Sequence, residues 1–277
     1  MRWKGAVWMN AVRQTEDQKK RNQHSLFINP LLLVLITLLR SNTCIKLYPR
    51  KLKIHWDMFW KIVRVGIPAA IQMAITSFSN IFVQSYINYF GADCMAGWTA
   101  HSKLDQLILL PMQSLALAST TFVGQNLGKG QEPRARQGIR VSMLLSFATT
   151  ILLMIPVIVF APQLVAFFNA KPQVIGYGTL ILRWVCPFYV LCCVNQILAG
   201  ALRGSGNSRA PMIIMLCSFV LFRQIYLYVM ANFISNTIVP IALGYPAGWL
   251  VCSLATYIYY KKTPLTKTRL VEDERKA

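Results

Sequence analysis

Apolar positions in this chain gather into long runs instead of alternating with polar ones. Six runs, at about 65–88, 95–123, 140–168, 174–200, 210–232 and 237–260, each meet or exceed the ~20 residues that cross a ~30 Å hydrocarbon layer. Hydrocarbon offers the backbone no hydrogen-bond partner, so each run must close its own bonds as a helix. The pattern predicts an all-α membrane protein with a six-transmembrane-helix bundle over residues 61–260. A further apolar segment, Leu26–Leu39, reaches only about 21 Å as a helix. It reads as a truncated crossing or as a helix lying along the surface. Residues 1–25 form a polar lead with Glu16, Asp17, Lys19, Lys20 and Arg21; no apolar core follows directly, so no signal peptide is expected.

Polar positions inside the runs are few and therefore informative. The first span, Lys61–Asn88, carries Pro68 near one end. Its Gln72, Thr76, Ser79 and Asn80 recur at helical spacing and share a face. Such a stripe faces other helices or a wet cavity. The second span, Ala96–Val123, holds His101, Lys103 and Asp105. His101 and Asp105 lie four apart on one side of the helix, and Lys103 points elsewhere. At about 1.5 Å per residue, Asp105 falls near mid-membrane. A charge there costs at least ~2.5–3.5 kcal/mol on insertion scales, which makes it a functional hypothesis by default. The rival reading is a structural partner for a buried arginine.

Of nine acids in the chain, Asp105 alone lies inside a span. Three embedded cations face it: Lys103, Arg183 in the fourth span and Arg223 in the fifth. Either Lys103 snorkels or acids outside this chain complete the balance. The third span, Ile139–Phe168, contains Pro156 and Pro162; the fourth, Val174–Gly200, contains Pro187, Asn195 and Gln196. Pro187 frees the carbonyl of Arg183, so a bend is expected beside that charge. The fifth span is Met212–Phe233 and the sixth is Ile238–Tyr260, with Pro240 and Pro246 near one end. Between spans, Gly124–Gly138 and residues 201–211 read as loops, because glycine stops helices and permits close backbone approach.

Composition supports the class: mean hydropathy is +0.44, and 14% charged residues are too few to coat a soluble surface. A net charge of +20 invites a nucleic-acid reading, but the distribution of the charge answers it. With sequential crossings, one side receives Arg40, Lys46, Arg50, Lys51 and Lys53, then Lys129, Arg134, Arg136 and Arg140, then Arg203 and Arg209, then Lys261 and Lys262. The other side receives Lys171 only. The positive-inside rule makes loops 41–60, 124–138 and 201–211 and the tail 261–277 cytoplasmic, in a multi-pass protein of the cell membrane. The bilayer itself, including anionic lipid, is the expected partner of this basic face. No basic stripe interleaves with exposed aromatics, so no nucleic-acid partner is expected. Seven cysteines show no metal spacing and read as small packing residues.

No enzyme is expected. Gly124–Gly130 lacks the GK[ST] ending of a phosphate loop, His24, His55 and His101 are scattered without HExxH, and no GxSxG occurs. No catalytic residue, metal site or cofactor is therefore assigned. One embedded acid is a poor catalytic set, yet it is adequate for holding a proton or a cation, which is what a secondary transporter needs. Asp105 and His101, with Gln72, Thr76 and Asn80 lining a cleft, are the candidate substrate- and cation-binding residues.

Two stretches and an opening motif resemble a known family. Ser119-Thr120-Thr121-Phe122-Val123-Gly124-Gln125-Asn126-Leu127-Gly128 with Arg134 is similar to the loop after the eighth helix of MATE-type multidrug and toxin extrusion transporters. Gly200-Ala201-Leu202-Arg203-Gly204-Ser205-Gly206-Asn207-Ser208-Arg209 with Pro211 resembles the turn after the tenth, and Val65-Gly66-Ile67-Pro68 the start of the seventh. The resemblance covers about residues 40–260. It implies one lobe of a twelve-helix transporter with two pseudo-symmetric lobes and a central cleft open to one side at a time. The family exports cationic, amphipathic compounds in exchange for H+ or Na+. This chain then corresponds to the second lobe, with residues 26–39 as the end of a sixth helix. A missing first lobe or second chain is implied as its partner.

The chain departs from the family where cations bind. One branch places acids on its seventh and tenth helices, where Gln72 and Arg183 stand here; another uses an aspartate on the first helix. Asp105 is thus a candidate on physical grounds, with the coupling ion open between H+ and Na+. A lipid-linked oligosaccharide flippase of related fold, with Arg183 and Arg223 in its cleft, and a non-transporting truncated fragment are the alternatives.

Overall fold

The computed structural model describes residues 55–234 and 237–265. The expectations for the lead and short apolar segment at 1–40, for residues 41–54 and for the tail beyond Leu265 concern residues outside those described. The chain divides into Met1–Trp56 and Asp57–Ala277; the second unit holds every element below except the first residue of α1.

The described chain is helical throughout: α1 (Trp56–Asn88), α2 (Ala92–Gly128), α3 (Glu132–Val159), α4 (Ala161–Phe168), α5 (Pro172–Val185), α6 (Tyr189–Gly204), α7 (Arg209–Leu216), α8 (Arg223–Val229), α9 (Ile238–Ala242) and α10 (Gly244–Lys262). A 3-10 turn, Cys186–Phe188, joins α5 to α6, and a π-helical segment, Cys217–Phe222, joins α7 to α8; a second π segment, Met230–Ile234, follows α8. These pieces make six helices long and apolar enough to cross a membrane: α1, α2, α3, α5–α6, α7–α8 with its π segments, and α9–α10. Where the third run was expected to continue to Phe168, it breaks at Phe160, and Pro162 takes an early position of α4, where its missing N–H costs nothing.

The solvent preference is inverted relative to a soluble core. Leu152 is 72% exposed, Ile62 71% and Met73 70%, while Ser79, Ser146, Asn195 and Thr256 are buried at 1% or less. Apolar outside and polar inside is what lipid selects, because polar groups there must find partners within the bundle. Among the described residues, Cys94, Cys186, Cys192, Cys193 and Cys252 are buried free thiols, in keeping with a packing role.

α2 is the central helix and packs against α3, α5 and α6. Glycines set how closely α2 meets the fourth span. At one end a Cβ on Gly97 would meet the Gly178 nitrogen at 2.9 Å; at the other a Cβ on Gly200 would meet the Ala116 carbonyl oxygen at 2.6 Å. The Thr120 hydroxyl donates to the Gly200 carbonyl oxygen at 2.9 Å across the same contact. Gly200 and Gly204 form a small-residue pair one turn apart, the arrangement that lets membrane helices touch backbone to backbone.

Both expected basic loops are shorter than the sequence suggests. α2 continues through Gly124 to Gly128, α3 starts at Glu132, α6 continues to Gly204 and α7 starts at Arg209. The true turns are the same motif twice. Gly130 and Gly206, at φ +74° and +88°, bond back to the Leu127 and Arg203 carbonyls; the next amides, of Gln131 and Asn207, bond to the Asn126 and Leu202 carbonyls. This is the Schellman termination, which needs a left-handed residue and so favours glycine. Opposite these turns, Lys171 and Asp93 form an ion pair at 3.7 Å, joining the starts of α5 and α2.

Candidate functional site

Asp105 lies on α2, partly buried, where the Tyr189 hydroxyl donates a hydrogen bond to its Oδ1. Tyr189 is 0% exposed and is the first residue of α6, directly after the 3-10 turn. Pro187 explains the turn: it has no N–H, and its ring clashes with the carbonyl four residues back, so the helix cannot run straight through. The α-helix is interrupted three residues after Arg183, and Tyr189 rather than Arg183 is the buried side chain. Arg183 itself is exposed on α5.

Tyr189 opens a wall of rings. Its centroid lies 5.2 Å from Trp249, Trp249 lies 6.3 Å from Tyr245, Tyr245 lies 5.5 Å from Trp98, and Trp98 lies 5.2 Å from His101. His101 is buried with Nδ1 lacking a partner, and among the described residues no hydrogen bond joins it to Asp105. Arg223 meets the middle of the wall, its guanidinium carbon 4.8 Å from the Tyr245 ring centroid, a cation–π distance. Arg223 follows the π segment, a helix irregularity that recurs at functional sites.

The polar stripe of α1 meets the fifth span. Gln72 Nε2 lies 2.6 Å from the Met215 sulfur, and Ser79 Oγ donates to the Phe219 carbonyl at 3.0 Å. Arg223 Nη2 donates to Ser79 Oγ at 2.9 Å and to Asn80 Oδ1 at 2.8 Å. Gln224 adds a bond to Ser79 Oγ at 2.8 Å. Thr76 Oγ1 is buried without a partner. Of the two roles open to the stripe, the structure shows interhelical hydrogen bonding. It puts Asp105 and His101 at the two ends of the aromatic wall and Asn80 on Arg223; no hydrogen bond among the described residues joins Asp105 to Gln72, Thr76 or Asn80.

Among the described residues Asp105 is no arginine's counter-ion. Among the described residues the ion pairs are Arg136–Glu132 and Lys171–Asp93. Lys103 is exposed, so it does not neutralise Asp105 within the helix. The residues of the two motif stretches serve packing and turns. A Cβ on Gly124 would lie 3.2 Å from the Gly204 carbonyl oxygen, so the two stretches touch. The Gln125 carbonyl accepts from the Lys129 amide, and Asn126 Nδ2 donates to the Phe122 carbonyl at 2.7 Å. Gly128 and Gly204 end their helices, and Gly206 makes its turn with the Arg203 carbonyl. Arg134 and Arg209 are exposed. Sequence reasoning missed Tyr189; its signal was a polar-tipped ring two residues past a mid-span proline.

Polar groups turned inward and apolar faces turned outward define a multi-pass membrane protein built as a helical lobe. The chain belongs to the MatE family, whose family model matches residues 68–229. It is 27% identical over 222 residues to the probable multidrug resistance protein YoeA of Bacillus subtilis, covering 79% of this chain and 48% of that protein. It is 26% identical over 208 residues to a FAD transporter of Shewanella oneidensis, covering 75% of this chain and 45% of that one. Among solved structures, a MOP superfamily transporter from Pyrococcus furiosus shares the fold with a TM-score of 0.77 at 18% identity, over 86% of this chain and 53% of that chain. The chain spans about half the length of the relatives it matches.

Proposed function

We propose that this chain is one lobe of a secondary antiporter that exports drugs or organic cations in exchange for H+ or Na+, with Asp105 holding the coupling cation. One observation carries the reading. The acid embedded in the spans is held by a neutral hydroxyl, Tyr189, and among the described residues by no fixed positive charge. A carboxylate tied to an arginine has no room for a mobile cation; one that accepts from a tyrosine keeps lone pairs free. The partly exposed position of Asp105 gives such a cation a route in.

In this reading the lobe rocks against a second lobe around a central cleft, and small cationic amphipaths bind between them. The turns at 129–131 and 205–208 face the cytoplasm, as the positive-inside rule requires. No enzymatic step and no cofactor beyond the coupling ion is involved. The name of YoeA supports the efflux of drugs, and that of the Shewanella relative supports a wider cargo range. The test is efflux of ethidium from preloaded cells that produce the protein, under an imposed H+ or Na+ gradient. Efflux that follows one gradient and collapses with its ionophore is expected. Ethidium retention identical to that of cells lacking the protein, under both gradients, would refute the proposal.

A further inference from the structure

Arg223 is the most heavily buried charge among the described residues, at 3% exposure, and every acceptor it has is neutral. Its Nη2 reaches Ser79 Oγ and Asn80 Oδ1, one face lies over Tyr245, and its Nε is buried with no partner. Buried charges are normally paired, because neutral hydrogen bonds do not cancel the cost of leaving water. The same chain shows what this edge of a guanidinium ordinarily holds. Arg136 grips a single carboxylate oxygen of Glu132 with Nε at 3.0 Å and Nη2 at 2.7 Å. In Arg223 the equivalent edge is half occupied and carries no negative charge.

The edge is also close to the surface. Asn80, which accepts from it, is itself exposed on α1, and Thr76, one helical turn away on the same face, has a buried hydroxyl without a partner. We propose that Arg223, with Thr76 and Asn80 at its mouth, is an oxyanion receptor that takes the carboxylate or phosphate of an amphipathic cargo. The anion displaces the Asn80 acceptor from Nη2, gains the free Nε–H, and turns an unpaired buried cation into a forked pair. The inference deepens the transport reading: the cationic amphipath also carries an acidic group, as a zwitterion, and only its being transported rests on that reading.

The test is direct binding to the purified full chain in detergent, by fluorescence polarisation, of two dyes with one ring system: rhodamine 110, with a free carboxylate, and rhodamine 123, its methyl ester. The acid is expected to bind about tenfold tighter, as charge-assisted hydrogen bonds imply. Arg223→Gln should erase the preference without weakening the ester, while Arg183→Gln, an exposed arginine, should keep it. Should Arg223→Gln aggregate, Arg223→Lys keeps the charge without the planar fork and should retain only part of the preference. Equal binding of the two dyes, a preference that survives Arg223→Gln or passes undiminished through Arg223→Lys, or binding of neither dye overturns the proposal. Failed ethidium efflux alongside an intact dye preference would instead sink the transport reading and leave this site standing.

Discussion

Asp105→Asn is expected to bring cation-driven ethidium efflux down to the level of cells lacking the protein, with the fold intact. The two side chains are isosteric, and the amide oxygen can still accept from Tyr189. The loss in stability is therefore confined to the difference between a charged and a neutral acceptor, about 1 kcal/mol. What disappears is the negative charge, and no other embedded acid among the spans can replace it. Efflux and thermal unfolding in detergent measured on the same variant separate the cases. Unchanged efflux removes Asp105 from the mechanism. A collapse of both efflux and unfolding temperature assigns it to structure alone.

The second large effect is on stability. Gly200→Ala places a methyl 2.6 Å from the Ala116 carbonyl oxygen and 3.0 Å from the Thr120 hydroxyl. The first contact is with backbone, which cannot rotate aside, so α2 and α6 must separate and stretch the Thr120–Gly200 hydrogen bond. Overpacking of this kind costs about 1–3 kcal/mol. For a chain of this size that is roughly a 2–12 °C fall in unfolding temperature. Gly176→Ala is the matched control: a Cβ there meets nothing within 4 Å, so its unfolding temperature should hold or rise. Equal behaviour of the two variants would show that the α2–α6 contact does not hold the lobe together.

These residues also show how far the sequence could be read. Hydropathy located the six spans, because lipid imposes one rule on every residue of a crossing. Their ends were misplaced because glycine has two uses. Gly124, Gly128 and Gly204 read as helix stops, yet they lie inside or at the end of helices, and within these two stretches it is Gly130 and Gly206 that take a positive φ and turn the chain. Composition alone does not separate a glycine that touches a neighbouring helix from one that ends its own. Asp105 was legible because a lone acid in hydrocarbon is conspicuous. Tyr189 was not, since tyrosines are common in spans and its contact with Asp105 joins residues 84 apart. The α1 stripe was legible as a polar face and Arg223 as an embedded cation, but their pairing joins residues more than 140 apart and had no local signature.

Coupled transport requires the carboxyl at position 105 to be an exchangeable cation site and not a sealed structural bond to Tyr189. Dicyclohexylcarbodiimide, an apolar reagent that attacks protonated carboxyl groups within membranes, distinguishes the two when adducts are mapped by mass spectrometry on the intact chain. The expected result is an adduct on Asp105 that the coupling ion suppresses, by deprotonation in one case or by added Na+ in the other. An unmodified Asp105, or labelling indifferent to both pH and Na+, would contradict it.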